Sequence, residues 1–133
     1  MNQLKSIYLS TSYFVSTFKE PIMIGKQSTE ADFVLIELGV SEWAYITAYN
    51  PLSSLLSDIE NQQRNNDLMQ QLDMYHVLEG EGIGTDAAWK PEKSFFIAGI
   101  SLEEAKKLAI KYSQKAIVYG RLYKPAQLII TIP

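Results

Sequence analysis

Residues 94–119, SFFIAGISLEEAKKLAIKYSQKAIVY, decide the fold class. The run from Ser94 to Ile100 is rich in aromatic and apolar side chains, which predicts a strand. Ser101 follows, with Glu104 three positions on, a Ser-x-x-Glu capping box that opens a helix. Leu102, Ala105, Leu108, Ala109 and Tyr112 recur at the spacing of one helical face, while Lys106, Lys107 and Lys111 stay on the solvated face. Ala116 to Tyr119 is again a short apolar run and reads as a buried strand.

Towards the N-terminus, Ser57 and Glu60 repeat the capping box and open a second strong helix that runs to about Leu72. Tyr75 to Leu78 reads as a strand, Gly80-Glu81-Gly82-Ile83-Gly84 as a flexible turn, and residues 85–91 as loop. Trp43 to Tyr49 is aromatic and β-branched and stops at Asn50-Pro51, because proline cannot donate to a ladder. Phe33 to Leu38, bounded by Gly39, reads as another strand after the polar stretch Gln27 to Asp32. Tyr13 to Phe18 looks extended, and Leu4, Ile7 and Tyr8 predict a short helix over residues 2–10. At the other end, Leu128 to Ile132 reads as a last strand. The predicted order is α-β-β-β-α-β-β-α-β-β. Strands outnumber helices and some neighbours are joined by short turns. The expectation is therefore an α+β fold: a mostly antiparallel sheet with two main helices packed on one face, plus a short N-terminal helix. No repeat, linker or low-complexity tract divides the chain, so residues 1–133 read as a single domain.

The counts narrow the chemistry. The 133 residues are 47% hydrophobic and 20% charged, an ordinary globular composition. There is no cysteine, which excludes disulfides, thiolate metal sites and a cysteine nucleophile. The single histidine, His76, rules out a zinc site built from several histidines of one chain and reads as a structural strand residue. No metal and no cofactor are expected. The balance 12 − 15 = −3 shows no basic surplus, so no nucleic-acid partner is expected. The first residues lack the apolar core of a signal peptide, and no apolar run approaches the ~18 residues that span a bilayer. A cytoplasmic protein with no membrane partner is expected. Gly80-x-Gly82-x-Gly84 follows a strand but no helix follows it, and no Gly-Lys-Ser/Thr is present, so a phosphate-cradling loop is not expected.

One stripe does not look like core. On a wheel of about 100° per residue centred on Asn61, Leu68 and Leu72 fall within about 20°, Ser57 and Asn65 within about 40°, and Arg64 within about 60°. Leu68 and Leu72 anchor the helix to the core, so the same stripe turns polar in its N-terminal half. Inward polar groups must be satisfied. Arg64 offers donors and no acceptor, so it needs a carboxylate, several carbonyls or an anion. One outcome is a structural network in which Arg64 pairs with Glu79 or Glu92. A second is a polar pocket, where the helix N-terminus and Arg64 would favour an anion, and a third is a simple solvent-facing helix end. Trp89 is either a stacking surface or a cover over the end of a core, and Glu92 either a general base or the partner of Arg64. The eight tyrosines are spread along the chain and read as sheet residues without a stacking platform.

Several fragments together resemble a known family: Thr47-Ala48-Tyr49-Asn50-Pro51, Ser57, Asn61-x-x-Arg64-Asn65, the glycine loop, Trp89-x-Pro91-Glu92-x-Ser94-Phe95, Gly99-Ile100-Ser101 and Gln114-x-Ala116-Ile117-Val118-Tyr119-Gly120. The combination resembles DUF3293, a family of small bacterial proteins of unknown function, over about residues 8–120. The resemblance implies a compact cytoplasmic α+β domain and no particular activity. It places Trp89, Glu92 and Ser94 beside the polar stripe.

Three functions follow as expectations. The first is a binding module for a small polar or anionic ligand. Its candidate residues are Asn50, Ser57, Asn61, Arg64, Asn65, Glu79, Trp89, Glu92 and Ser94. The second is an enzyme with Glu92 or Glu79 as acid/base and Arg64 as electrostatic stabiliser. The third is an interaction domain in which Leu128 to Ile132 forms an edge strand that pairs with a partner or a second copy as a homodimer.

Overall fold

A computed structural model describes residues 2–133. Six strands form one antiparallel sheet: β1 Ser12–Val15, β2 Glu42–Ile46, β3 His76–Ile83, β4 Glu92–Ala98, β5 Ala116–Arg121 and β6 Gln127–Ile130. Their order across the sheet is β1-β3-β4-β2-β5-β6. The helices are α1 Asn2–Ser10, α2 Thr29–Leu38, α3 Asp58–Gln70 and α4 Leu102–Lys111. The class is α+β, as the strand and helix signals required.

Side chains alternate across a strand, and here both faces are apolar in the central strands. Ala44, Ile46, Phe95, Ile97 and Ile117 point one way and pack on Leu68 and Leu72, at and just past the end of α3, and on Ala105 and Ala109 of α4. Trp43, Tyr45, Phe96, Ala98 and Val118 point the other way and pack with Ala31 and Leu35 of α2. The Trp43 and Phe96 rings stack at 5.2 Å. Both helix starts hold as read: Ser57 and Glu60 form the reciprocal capping box, while Ser101 accepts from the Glu104 N–H without the return bond to the Glu104 side chain.

The apolar run Phe33 to Leu38 is helix and not strand. Its start lies in the polar stretch just before it. Ser28 accepts from the Ala31 N–H at 3.1 Å, and Glu30 and Asp32 sit in the first turn, where the helix dipole favours them. Gly39 ends the helix with φ 69°, a left-handed cap that glycine adopts without strain. Only Ala31, Asp32 and Leu35 are buried, a helical spacing, whereas Phe33 and Ile36 are exposed. A six-residue run with five apolar side chains thus buries one stripe and not a whole strand. As a result α2 covers the sheet face opposite to α3 and α4.

The glycine-spaced segment is likewise not a turn. Gly80 and Gly82 lie inside β3, paired with Ser94 and Glu92 of β4 and with Val15 and Tyr13 of β1. At Gly80 a side chain would run into the Phe14 carbonyl and the Tyr45 hydroxyl, which donates to that carbonyl at 2.7 Å. The absence of a Cβ lets β1 close on β3 over the Tyr45 ring. β2 is shorter than its apolar run, because Thr47 to Tyr49 leave the ladder. β6 is an edge strand, with β5 as its one partner in the sheet. Among the described residues no helix is long and apolar enough to cross a membrane.

Candidate functional site

After Ile46 the chain leaves β2 and crosses to α3, so its backbone groups need partners outside the ladder. The α3 stripe supplies them. Asn65 accepts the Ala48 N–H at 2.8 Å and donates to the Lys93 carbonyl at 2.8 Å. Asn61 accepts the Asn50 N–H at 2.8 Å and donates to the Asn50 side-chain oxygen at 2.8 Å. Arg64 donates through Nε to the Ala48 carbonyl at 2.7 Å and through Nη2 to the Tyr112 carbonyl at 2.5 Å. Its guanidinium also lies 5.9 Å from the centre of the Tyr112 ring. Arg64 therefore meets carbonyls and an aromatic face, and pairs with neither Glu79 nor Glu92. The inward stripe ties the end of β2 to β4 and to the end of α4.

Glu92, the first residue of β4, belongs to a different cluster. Its Oε2 accepts from Asn50 Nδ2 at 2.7 Å and from Trp89 Nε1 at 3.1 Å. It borders a cavity of about 320 Å³ between α1 and the sheet. Tyr45, Ser94 and Val118 form the floor, on the same sheet face as α2. That face is covered by α2 over one part and roofed by α1 over the other, with Leu4 and Tyr8 pointing into the space between. Tyr13 donates to the Tyr8 carbonyl at 3.0 Å and Thr11 to the Ile7 carbonyl at 2.6 Å, which fastens the end of α1 to the start of β1.

The electrostatics of Glu92 set it apart. Burial pushes its carboxyl above the usual range, and the hydrogen bonds from Asn50 and Trp89 pull it part of the way back. None of the ion pairs among the described residues includes it. Its Oε1 accepts no hydrogen bond from them, yet no buried side-chain polar atom among them is left without a partner. Oε1 is therefore not sealed in the core, and the half-buried Glu92 side chain lines the cavity. Around it the tyrosines stay neutral. Burial, with the Glu92 charge nearby, pushes Tyr8 up to about 12. Burial likewise raises Tyr13, Tyr45 and Tyr49.

Backbone strain collects at the same place. Asn50, Leu52, Ser53 and Ser113 have φ of 48°, 52°, 63° and 55°. The Leu52 N–H bonds to the Ser113 carbonyl at 2.7 Å, so the strained segments hold each other. Asn50, Ser53 and Gln114 line the cavity, and Gln114 donates to the Tyr49 carbonyl at 2.9 Å.

Of the nine candidates, Asn50, Trp89, Glu92 and Ser94 line this cavity. Ser57, Asn61 and Arg64 do not. Ser57 is an exposed helix cap, and Asn61 is buried in the network. Asn65 and the exposed Glu79 border a second, more open hollow, which Ser94 also touches. His76 is exposed at the start of β3. Sequence reasoning missed Tyr8, Tyr13, Tyr45 and Tyr49, four of the eight tyrosines, which the fold does bring together. Two signals pointed to them: Tyr8 lies on the apolar face of the N-terminal helix, and Tyr45, Thr47 and Tyr49 share one face by alternation. Among the described residues no three acidic or histidine side chains are placed to hold a metal ion.

The family model described as Protein of unknown function (DUF3293) matches residues 46–117, more than half of the chain. The chain belongs to DUF3293. The DUF3293 match runs from the end of β2 into β5, a shorter span than the resemblance suggested. It contains the Asn61–Arg64–Asn65 network and Asn50, Trp89, Glu92 and Ser94. The roof of the cavity, α1, and the Tyr13 and Tyr45 rings lie outside the DUF3293 match. No curated protein and no solved structure matches the chain.

Proposed function

We propose that this domain is a binding module for a small polar ligand, held in the cavity between α1 and the sheet with Glu92 as its anchor. The observation that carries this reading is the Glu92 carboxylate. One oxygen is held by Asn50 and Trp89, while the other has no hydrogen-bond or ion-pair partner among the described residues, and the side chain lines the cavity. A partly buried charge without a counter-charge costs free energy, and removing it would leave the core intact. Residues that oppose stability in this way are typical of binding sites. The volume, about 320 Å³, lies at the lower end of the range for small-molecule sites. The strained turns that carry Asn50, Ser53 and Gln114 support the same reading. The anchor is Glu92 and not Arg64, which lies outside the cavity and whose Nε and Nη2 are engaged by carbonyls.

A second reading is favoured by one observation, the raised carboxyl of Glu92 in a concave site, which suits a general acid or base. Glu79 and Arg64 lie outside the cavity and take no part in it. The test is a two-dimensional NMR titration of labelled protein with small cationic, neutral and anionic compounds. Binding at this site shifts the Trp89 indole N–H and the amides of Asn50 and Glu92 together, and Glu92→Gln suppresses those shifts. Shifts centred on α3, or none for compounds of any charge, would overturn the reading.

A further inference from the structure

We infer that the ligand is a small organic cation, a protonated or quaternary amine, with the Glu92 carboxylate as its counter-ion and the cavity's aromatic rings as its walls. This rests on the binding reading above and names the class of ligand. Three independent observations converge on it.

The first is charge. The cavity is lined by two carboxylates, Asp86 and Glu92, against one ammonium, Lys115, and by no arginine. Asp86 is engaged at the rim, where it accepts the Ala88 N–H at 2.9 Å. Lys115 makes no ion pair with Glu92 and does not offset the upward push of burial on it. The Glu92 side chain that carries the free Oε1 therefore lines the cavity without an ion-pair partner among the described residues. An anionic ligand would meet this charge at close range, and a neutral one would leave it unbalanced in a site of low dielectric.

The second is the walls. Tyr8, Tyr13, Tyr45, Tyr49 and Trp89 all line the space. The Tyr13 and Tyr45 rings meet edge to face at 5.4 Å, and both hydroxyls are spent on backbone carbonyls, of Tyr8 and Phe14. With both hydroxyl protons spent, these two residues add aromatic carbon and no free donor to the lining. The π-face of an aromatic ring attracts a cation within about 6 Å, and most strongly where water is excluded.

The third is the way Glu92 is held. Asn50 and Trp89 both donate to the same oxygen, which orients the carboxylate and leaves Oε1 as an acceptor for a donor that the described residues do not supply. An ammonium N–H fits that acceptor, and the N-methyl groups of a quaternary amine fit the rings.

Calorimetry decides the matter with paired compounds: choline against its uncharged carbon isostere 3,3-dimethylbutan-1-ol, agmatine against a neutral diol of similar length, and butyrate as an anion. At least one cation binds about tenfold or more tightly than its neutral partner, the size expected of a charge-assisted contact. Glu92→Gln removes that preference. Glutamine keeps an oxygen for Asn50 and Trp89, so the variant folds and loses only the charge. Tyr49→Leu, at a partly buried ring whose hydroxyl has no partner among the described residues, weakens the cation by about threefold and leaves the neutral isostere unchanged. Neutral compounds or butyrate binding as tightly as the cations, with the same Trp89 shifts, would overturn the ligand class while the binding reading stands. Binding by none of these compounds would overturn both.

Discussion

Two polar clusters lie within the segment that matches the family, on either side of Asn50, and they differ in how completely they are satisfied. On the α3 side, Asn61 and Asn65 spend their amides, and Arg64 its Nε and Nη2, on the backbone of residues 48, 50, 93 and 112 and on the Asn50 side chain. On the α1 side, Glu92 is held by two donors, yet one carboxylate oxygen has no partner among the described residues, and the side chain lines a cavity with several aromatic rings. Residue type does not separate the two, since the α3 cluster carries the guanidinium that first suggests an anion site. Saturation does. A polar group whose hydrogen bonds close within the protein serves the fold, and one left open at a concave surface, at a cost, is available to a ligand.

The contrast can be broken by thermal unfolding, starting with the largest effect. Asn65→Leu strands the Ala48 N–H and takes one of two donors from the Lys93 carbonyl, which keeps the Thr47 hydroxyl. The expected loss is about 3 kcal/mol, a fall in Tm of roughly 10 °C. A fall of under roughly 3 °C would mean that water reaches these groups and that the α3 cluster is not closed. Arg64→Met removes two bonds to carbonyls from a half-buried side chain, for an expected loss of about 2 kcal/mol. An unchanged Tm would free Arg64 from its structural role and restore it as a ligand residue. Ser57→Ala removes a surface cap and lowers stability by about 1 kcal/mol. The Trp89 and Glu92 titration shifts stay as in wild type, because the cap lies outside the cavity.

The smallest effect sharpens the contrast most. Glu92→Gln leaves Tm unchanged or raises it, because the charge is a burden to the unliganded fold. The sign of the pH dependence follows from the raised carboxyl. With the folded value above 4.5, the protonated side chain favours the folded state, and that stability is lost as pH rises through the folded value. Across that window wild-type Tm falls relative to the Gln variant as pH increases. A fall of several degrees in the variant at neutral pH would show that the carboxylate holds the fold, and the two clusters would then be alike.

Much of this was legible beforehand. The helix starts at Ser57 and Ser101, the strand–helix–strand order of residues 94–119 and the polar stripe on α3 depend on local spacing, which the chain carries in itself. The stretch Phe33 to Leu38 was not legible as a helix. Apolar content over six positions does not distinguish strand from helix, and the deciding cap, Ser28, lies in a segment that reads as loop. Gly80 was not legible as a strand residue, because the reason for its missing side chain is the approach of Phe14 and Tyr45, both distant in sequence.

The residues of the candidate site divide the same way. Composition and spacing alone pointed to an α+β chain and to a polar stripe unlike an apolar core, while the family rests on the match over residues 46–117. Which of those residues are saturated was decided by tertiary structure, because a hydrogen-bond partner such as the Tyr112 carbonyl for Arg64, 48 positions away, is set by packing and not by spacing. The aromatic cavity was decided there too. Tyr8, Tyr13, Tyr45, Tyr49 and Trp89 become one surface only when the sheet brings β1, β2 and the start of β4 beneath α1.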